Sequence, residues 1–476
     1  MERDKKQRML RSRATQMMRD AVVAQKGSGP SGSSIFKLLR RYSLAMCPRH
    51  ITFVMPYTNI KSGTPNSPFN YLATPKTVSL ITLGCKVNQY ETQLYRESFA
   101  ADGFEIKNSG EPSDITLINT CCVTKRAEKE SRNFIARSLK ISSRVIVTGC
   151  YVEKEYVQLK EKFPQIEIVR RKNLLNNNYF QKRINKIHYF SGHTRAFIKI
   201  EDGCEKFCSY CIIPYVRGRV KNREAKEILE EIKGLASNGY QEFVITGVDL
   251  GAYQGLPDLL FQLEKIEGVE RIRLSSLDPG DSTDSLIEIL SSSPKFCPHL
   301  HIPLQSGDDK ILQLMNRDYT IDDYRKTIAK IREKIPEICI STDVMVGFPG
   351  EDEEAFKNTA RIIEEVGFSR VHCFRYSPRE KTRAAKLTNP VEEKTKKERA
   401  KNLISLTKGI SQKIKKGFLG KTASVLIEKK RKDGYSFGYS RHYLPVLVKG
   451  KIGTNQIVKV KIEDLEGDYL VASISG

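Results

Sequence analysis

Ala196-Phe197-Ile198-Lys199-Ile200 runs directly into Glu201-Asp202-Gly203-Cys204-Glu205-Lys206-Phe207-Cys208-Ser209-Tyr210-Cys211, and the rest of the chain is read outward from this junction. Its first five residues are a short, mainly apolar run closed by acidic residues and a glycine, which predicts a buried strand. A loop with three cysteines follows. Five more such runs lie downstream: Glu242 to Gly247, Arg271 to Ser276, His299 to Leu304, Cys339 to Gly347 and Arg370 to Tyr376. Amphipathic stretches such as Ala225 to Gly239 separate them. Strands alternating with helices make a parallel sheet, and six βα units suit an open or partial barrel better than a flat doubly wound sheet.

The same texture occurs upstream. Val78 to Gly84, Asp114 to Thr120 and Arg144 to Gly149 are β-branched apolar runs, each followed by a helix-like stretch. A flavodoxin-like α/β domain is therefore expected over 76–189, ahead of the barrel at 190–414. From about Gly417 the pattern becomes alternating: Ala423 to Glu428, Tyr443 to Lys449, Gln456 to Asp464 and Tyr469 to Ser475, split by Gly and Asp turns. That predicts a small all-β domain over 415–476. Residues 1–75 have no sustained period; a disordered or over-called segment is preferred, although the Arg-rich, acid-poor opening also resembles a transit peptide.

The 476 residues carry a formal charge of +24, and its placement is uneven. Residues 1–75 hold thirteen Lys/Arg against three acids, and residues 391–432 hold fourteen against four. Each run is either a solvated face or a polyanion contact. No stretch reaches the roughly 18 apolar residues of a membrane helix, so a cytoplasmic protein with no membrane partner is expected. Eleven cysteines, an odd number, without a secretory signal favour reduced thiols used as metal ligands over disulfides. No Ser/His/Asp constellation or Walker-type phosphate loop stands out.

Cys204, Cys208 and Cys211 can supply three thiolates from one compact loop, which suits an iron–sulfur cubane. With three protein ligands, one iron stays open to chelate a small molecule. Zinc would want a fourth Cys or His, and none completes a quartet nearby. Cys85, Cys121 and Cys150 each follow a predicted strand end. In a parallel sheet those ends face one way, so a second three-thiolate site is expected there. Cys122 competes with Cys121, because neighbouring side chains of an extended segment point oppositely; Cys121 is chosen as the residue directly after the strand. Cys47, Cys297, Cys339 and Cys373 are read as structural.

Thr82 to Thr92 (TLGCKVNQYET), Ile118 to Arg132 (INTCCVTKRAEKESR) and Val147 to Glu155 (VTGCYVEKE) resemble motifs of the methylthiotransferase family of radical S-adenosylmethionine enzymes. Ile200 to Arg219, His301 to Thr320, Asp343 to Glu351 and Phe374 to Thr382 are similar to its later motifs, and the last domain to a TRAM RNA-binding barrel. Gly84-Cys85-Lys86-Val87-Asn88-Gln89 looks like the MtaB-type branch. Three departures stand out, the first being that Arg217-Gly218-Arg219 continues as Val220-Lys221-Asn222-Arg223 in place of the usual Ser/Arg-rich run. Cys122 occupies a usual Thr position, and Arg379-Glu380-Lys381-Thr382 replaces a common Arg-Pro-Gly-Thr.

The resemblance implies a partial (β/α)6 radical barrel and two [4Fe-4S] clusters, on Cys204/Cys208/Cys211 and on Cys85/Cys121/Cys150. It implies S-adenosylmethionine bound at the first cluster's open iron, with Tyr210, Gly247, Gln305, Ser306 and Gly347 as contacts. It further implies methylthiolation at C2 of N6-threonylcarbamoyladenosine in tRNA, with an unidentified electron donor and sulfur source. The basic stretch Lys394–Lys432 would grip tRNA phosphates, and Tyr435, Phe437 and Tyr439 are available to stack on bases or to pack a core. The alternatives are methylthiolation of isopentenyladenosine or of a ribosomal-protein aspartate, and a zinc-dependent RNA-binding protein without redox activity.

Overall fold

β1 (Thr77–Thr82), β2 (Glu105–Lys107), β3 (Ser113–Thr120), β4 (Ser142–Gly149) and β5 (Glu167–Ile168) form a parallel sheet in the order β2-β1-β3-β4-β5. This is the flavodoxin-like order, with helices Lys86–Ala101, Lys125–Ser138 and Cys150–Lys162 as crossovers. The computed structural model describes residues 76–176 and 179–475. The expectations for residues 1–75, Cys47 among them, lie outside the described residues. No described helix is long and apolar enough to cross a membrane.

Six parallel strands follow. β6 (Arg195–Lys199), β9 (Glu242–Thr246) and β10 (Arg271–Leu274) make one sheet, β11 (His299–His301), β12 (Cys339–Val346) and β13 (Arg370–Arg375) another. Single bridges Ile272 to Phe296 and Ser276 to His301 join the two into an open barrel. A hairpin of β7 (Glu201–Asp202) and β8 (Lys221–Asn222) leads into the cysteine loop. The barrel's apolar core, with Ile198, Val244, Ile272 and Val344, also takes in Tyr90 and Leu94 from helix Lys86–Ala101. The first domain is thereby packed beside the edge strand β6.

The chain ends in a closed five-stranded barrel: β14 (Thr422–Lys430), β15 (Tyr435–Ser440), β16 (Pro445–Lys449), β17 (Ile457–Glu466) and β18 (Tyr469–Ile474), in the order β14-β15-β16-β18-β17. It is seated on the amino ends of the six strands, opposite the cysteine loop. Arg195, Glu242 and Arg271 open β6, β9 and β10, and they make the seam: Arg195 pairs with Glu428 at 2.7 Å, and Arg271 donates to Ser424 Oγ at 2.7 Å. Arg273 donates to the carbonyl of Arg441 at 3.0 Å. Cys339, the first residue of β12, packs into the small barrel's core.

Helix Glu393–Lys416 runs from one end of the large barrel to the other. Near its start Arg399 bonds Glu351, beyond the carboxyl end of β12; near its finish Ile414 packs on the small barrel. Here the expectation of a uniformly RNA-facing basic stretch needs correcting. Lys396, Arg399 and Lys415 are buried, held by Glu393, Glu351 and Asp468 respectively, because one face of the helix must pack. Lys394, Lys397, Lys401, Lys408, Lys413 and Lys416 are exposed. Tyr439 is likewise taken: it stacks on Tyr443 at 4.7 Å, with the Arg195 guanidinium 5.2 Å from its ring, in the seam. Tyr435 and Phe437 stay half-buried on the barrel's outer side.

The Arg379–Thr382 departure has a structural cost. The Thr382 N–H donates to the Arg379 carbonyl at 3.1 Å, closing a turn, and Lys381 sits in it at φ +74°. A left-handed residue at that position favours Gly. Lys381→Gly is therefore expected to raise stability by about 0.5–1 kcal/mol, read as a higher midpoint in denaturant without a change in slope.

Candidate functional site

In the first domain Thr82 pairs in register with Asn119, and Thr120 with Gly149, so the carboxyl ends of β1, β3 and β4 are level. Cys85, Cys121 and Cys150 leave those ends. Gly84 and Gly149 turn the chain at φ +98° and +97°. A Cβ on Gly84 would lie 2.8 Å from Cys121 Sγ, and one on Gly149 would collide with the backbone of Thr120, so both positions require glycine. Asn88 stitches the ends together: its side-chain N–H groups donate to the carbonyls of Leu83 (2.8 Å) and Thr120 (3.1 Å). The Asn119 amide donates to the Asn88 carbonyl at 3.0 Å. The Ser131 hydroxyl accepts from the Cys121 N–H at 3.4 Å.

The three thiols lie within electrostatic reach of one another. Burial raises Cys121 above the usual thiol range and pushes Cys150 up to about 11. Cys122 is also buried, in an apolar cluster with Ile118, Ile135, Tyr151, Val152 and Cys150 itself, whereas Cys121 Sγ lies against Gly84, next to Cys85. The thiolates are offset by Arg217, whose charge acts on Cys150, Cys121 and Cys85. That guanidinium is buried and bonds Asn88 Oδ1 (2.5 Å), Asp202 (2.7 Å) and both oxygens of Glu91 (3.2 and 3.3 Å). Glu91 also receives Lys199 at 3.1 Å and Arg171 at 3.2 Å. Burial opposes its ionisation, yet Arg217, Lys199 and Arg171 outweigh this and hold its carboxyl below the usual range.

The second triad is clamped from several sides. The Cys204 N–H donates to the Gly218 carbonyl at 3.1 Å, and the Cys211 N–H to Cys208 at 2.9 Å. Ser209 donates from its N–H to Met315 (2.8 Å) and from its hydroxyl to Leu314 (2.7 Å). Arg317 donates to Cys208 Sγ at 3.1 Å and pairs with Asp278. Lys206 pairs with Asp281, Asp249 and Asp278 at 2.7, 3.3 and 3.5 Å. Burial above all pushes Cys204 and Cys211 up to about 12. Such thiols ionise only when a metal supplies positive charge, and three soft thiolates without a fourth ligand suit an iron–sulfur cubane with one open iron. Both triads pass this test of donor chemistry. Among the described residues the cysteines are free thiols.

The triads are neighbours. Helix Ile213–Arg217 starts two residues after Cys211. Ile212 and Val216 enter the apolar cluster that contains Cys150, and Arg217 reaches Glu91 and Asn88. From the other side Arg379 bonds Glu128 at 2.9 Å, on the helix after Cys121.

The residues expected to touch a small-molecule cofactor fare unevenly. A Cβ on Gly247 would collide with the Glu201 carboxylate, and one on Gly347 with the Lys396 side chain. Those two glycines make room for protein side chains. Glu201 is buried and accepts from the Asp249 N–H at 2.5 Å; burial above all raises it to about 7. Ser306 is corrected: it is buried, accepts from the Asp308 N–H at 3.3 Å and faces Thr359, so its hydroxyl is not free. Tyr210 meets the edge of Phe348 at 6.4 Å, in a cluster with Met345. Gln305 adopts φ +61° at the mouth of the barrel. Asn88, Glu91, Arg217 and Arg317 escaped the sequence reading. Asn88 and Glu91 fall inside a quoted motif, and Arg217 lies six residues past Cys211, which was the available signal.

A family model described as Radical SAM superfamily matches residues 198–363, and one described as Uncharacterized protein family UPF0004 matches residues 77–170. The chain is 39% identical to the threonylcarbamoyladenosine tRNA methylthiotransferase MtaB of Chlamydia pneumoniae, over 84% of this chain and 98% of that one. It is 32% identical to the tRNA-2-methylthio-N(6)-dimethylallyladenosine synthase of Thermodesulfovibrio yellowstonii, over 83% and 99%. Among solved structures, a radical S-adenosylmethionine methyltransferase, TsrM, from Kitasatospora setae matches with TM-score 0.50 and 13% identity, covering 66% of this chain and 77% of that one; the likeness is one of fold.

Proposed function

The chain belongs to the methylthiotransferase family of radical S-adenosylmethionine enzymes, and from that premise we infer that it converts N6-threonylcarbamoyladenosine at position 37 of tRNA, beside the anticodon, to the 2-methylthio form. The enzyme uses S-adenosylmethionine and two [4Fe-4S] clusters. The observation that carries the reading is the adjacency of two thiol triads across helix Ile213–Arg217. For the substrate, Gly84-Cys85-Lys86-Val87-Asn88-Gln89 and the relative that shares 39% identity support threonylcarbamoyladenosine over isopentenyladenosine.

When bound, these groups supply hydrogen abstraction at C2 and the sulfur that replaces the hydrogen. The chain's own residues prepare the site. Cys204, Cys208 and Cys211 would hold the cluster that binds S-adenosylmethionine; Cys85, Cys121 and Cys150 would hold the other. Arg317 stabilises negative charge on Cys208 through its N–H, and Arg217 does the same by proximity for the other triad. Burial of Cys121 and Cys150 keeps water from the transferring sulfur. The exposed lysines of helix Glu393–Lys416 bind phosphates, an attraction that weakens with salt.

Digestion of tRNA from a strain lacking the gene, followed by nucleoside mass spectrometry, tests this reading. Loss of 2-methylthio-N6-threonylcarbamoyladenosine, with its unmethylthiolated precursor accumulating, is expected. Loss of 2-methylthio-isopentenyladenosine instead, or of a protein modification, would overturn the substrate.

A further inference from the structure

Inside the open barrel is a polar cluster that cluster chemistry does not use. On β12, Ile340, Val344 and Val346 pack into the core under the helices, so Ser341, Asp343 and Met345 face the lumen. On β13, Val371 and Cys373 pack against that core, and His372 and Phe374 face the lumen with them. His301 ends β11 alongside. Ligand-type atoms of His301, Asp343 and His372 all lie within 4.8 Å of one another. His301 Nε2 is 3.4 Å from Asp343 Oδ2, and its Nδ1 is 3.0 Å from Ser341 Oγ, which fixes the ring. Burial first, then the Arg370 charge, holds His372 below the usual imidazole range, and Lys86 adds to the same effect.

Two imidazoles and one carboxylate complement a substituent carrying a carboxylate, a hydroxyl and a ureido N–H. Resting on the substrate reading above, we propose that His301, Asp343 and His372 form the subsite that binds the threonylcarbamoyl group of the target base. The His372 N–H donates to the carboxylate; Asp343, held by His301, accepts from the hydroxyl or the ureido N–H. The height is right. Asp343 lies two residues, about 7 Å of strand, below Met345, which packs with Tyr210 beside Cys211. Phe374, 44% exposed, stands one lumen position above His372 and offers a face for the adenine. An isopentenyl group would offer nothing for the His372 imidazole or the remaining Asp343 oxygen to pair with, and a site built for hydrogen bonds rejects such an analogue strongly. Two histidines and a carboxylate also resemble a divalent-metal triad, but the Arg370 charge that acts on His372 opposes a second cation there.

The test uses the full-length, cluster-loaded enzyme with anticodon stem–loops carrying threonylcarbamoyladenosine, isopentenyladenosine or plain adenosine. Asp343→Asn and His372→Leu are expected to lower affinity (fluorescence anisotropy) and kcat/KM for the threonylcarbamoyl RNA by roughly 10- to 100-fold, and to leave affinity for the plain-adenosine RNA unchanged. If His372→Leu does not fold, His372→Gln is read in its place. Variants as active and as tight-binding as wild type on the threonylcarbamoyl RNA overturn the subsite but leave the substrate reading standing. Wild type that methylthiolates only the isopentenyl RNA overturns both. One equivalent of manganese or zinc bound by wild type and lost in Asp343→Asn also overturns the subsite, in favour of a metal centre.

Discussion

Cys121→Ala lowers the iron held after anaerobic reconstitution from about 8 to about 4 per chain and reduces methylthiolated product to background, while S-adenosylmethionine is still cleaved. Cys122→Ala leaves iron, cleavage and product near wild type. The asymmetry follows from where the two neighbouring side chains go. Cys121 Sγ lies against Gly84, beside Cys85, at the level ends of β1 and β3. Cys122 sits instead in the apolar cluster of Ile118, Ile135 and Val152, which Cys150 also enters. The Cys204 triad shares no ligand with the Cys121 site, so its chemistry survives the first substitution. Iron analysis and separate assays for 5′-deoxyadenosine and product RNA decide the matter. The reverse pattern, with Cys122→Ala blocking product, would transfer the ligand role to Cys122.

Glu91→Ala is expected to destabilise the protein by about 3–5 kcal/mol and to cost it the second cluster. Glu91 has no exposed side-chain surface and is the shared partner of Arg217, Lys199 and Arg171. Asp202, which pairs with the same three cations, would remain alone against them. Arg217 also carries the charge that faces Cys85, Cys121 and Cys150, so its displacement reaches the thiols directly. Denaturant unfolding and iron content measure the two effects. The wild-type pH dependence has a defined sign. The folded carboxyl is held below its ordinary value of about 4.3. Its contribution is full above that unfolded value and is lost as pH falls through the lower folded one.

Much of this arrangement was legible because it is local. The Gly–Cys junctions, the three-cysteine loop and the β-branched runs each lie within a few residues, and strand direction alone makes three distant strand ends converge. What stayed hidden depends on partners remote in sequence. Gly347 is explained by Lys396, and Arg217 by Glu91; neither pairing leaves a trace in spacing. Spacing alone therefore does not show that glycines at strand ends also clear side chains. Lysines in a basic run read as uniformly available, yet helix Glu393–Lys416 must bury one face, and that face takes Lys396, Arg399 and Lys415. The lumen cluster was missed for a related reason: His301, Asp343 and His372 sit in separate motifs that only the barrel brings together.

Helix Glu393–Lys416 spans about 36 Å and links the mouth of the reaction chamber to the small barrel on the far floor. In the function proposed, its outward lysines would line the path of a ribose-phosphate strand from the mouth along the flank to the terminal module. Grip is thereby spread over many weak holds and separated from the place where bonds change. Trimming this line of lysines one cation at a time should loosen the hold on the strand in small steps and leave the chemistry beneath it intact.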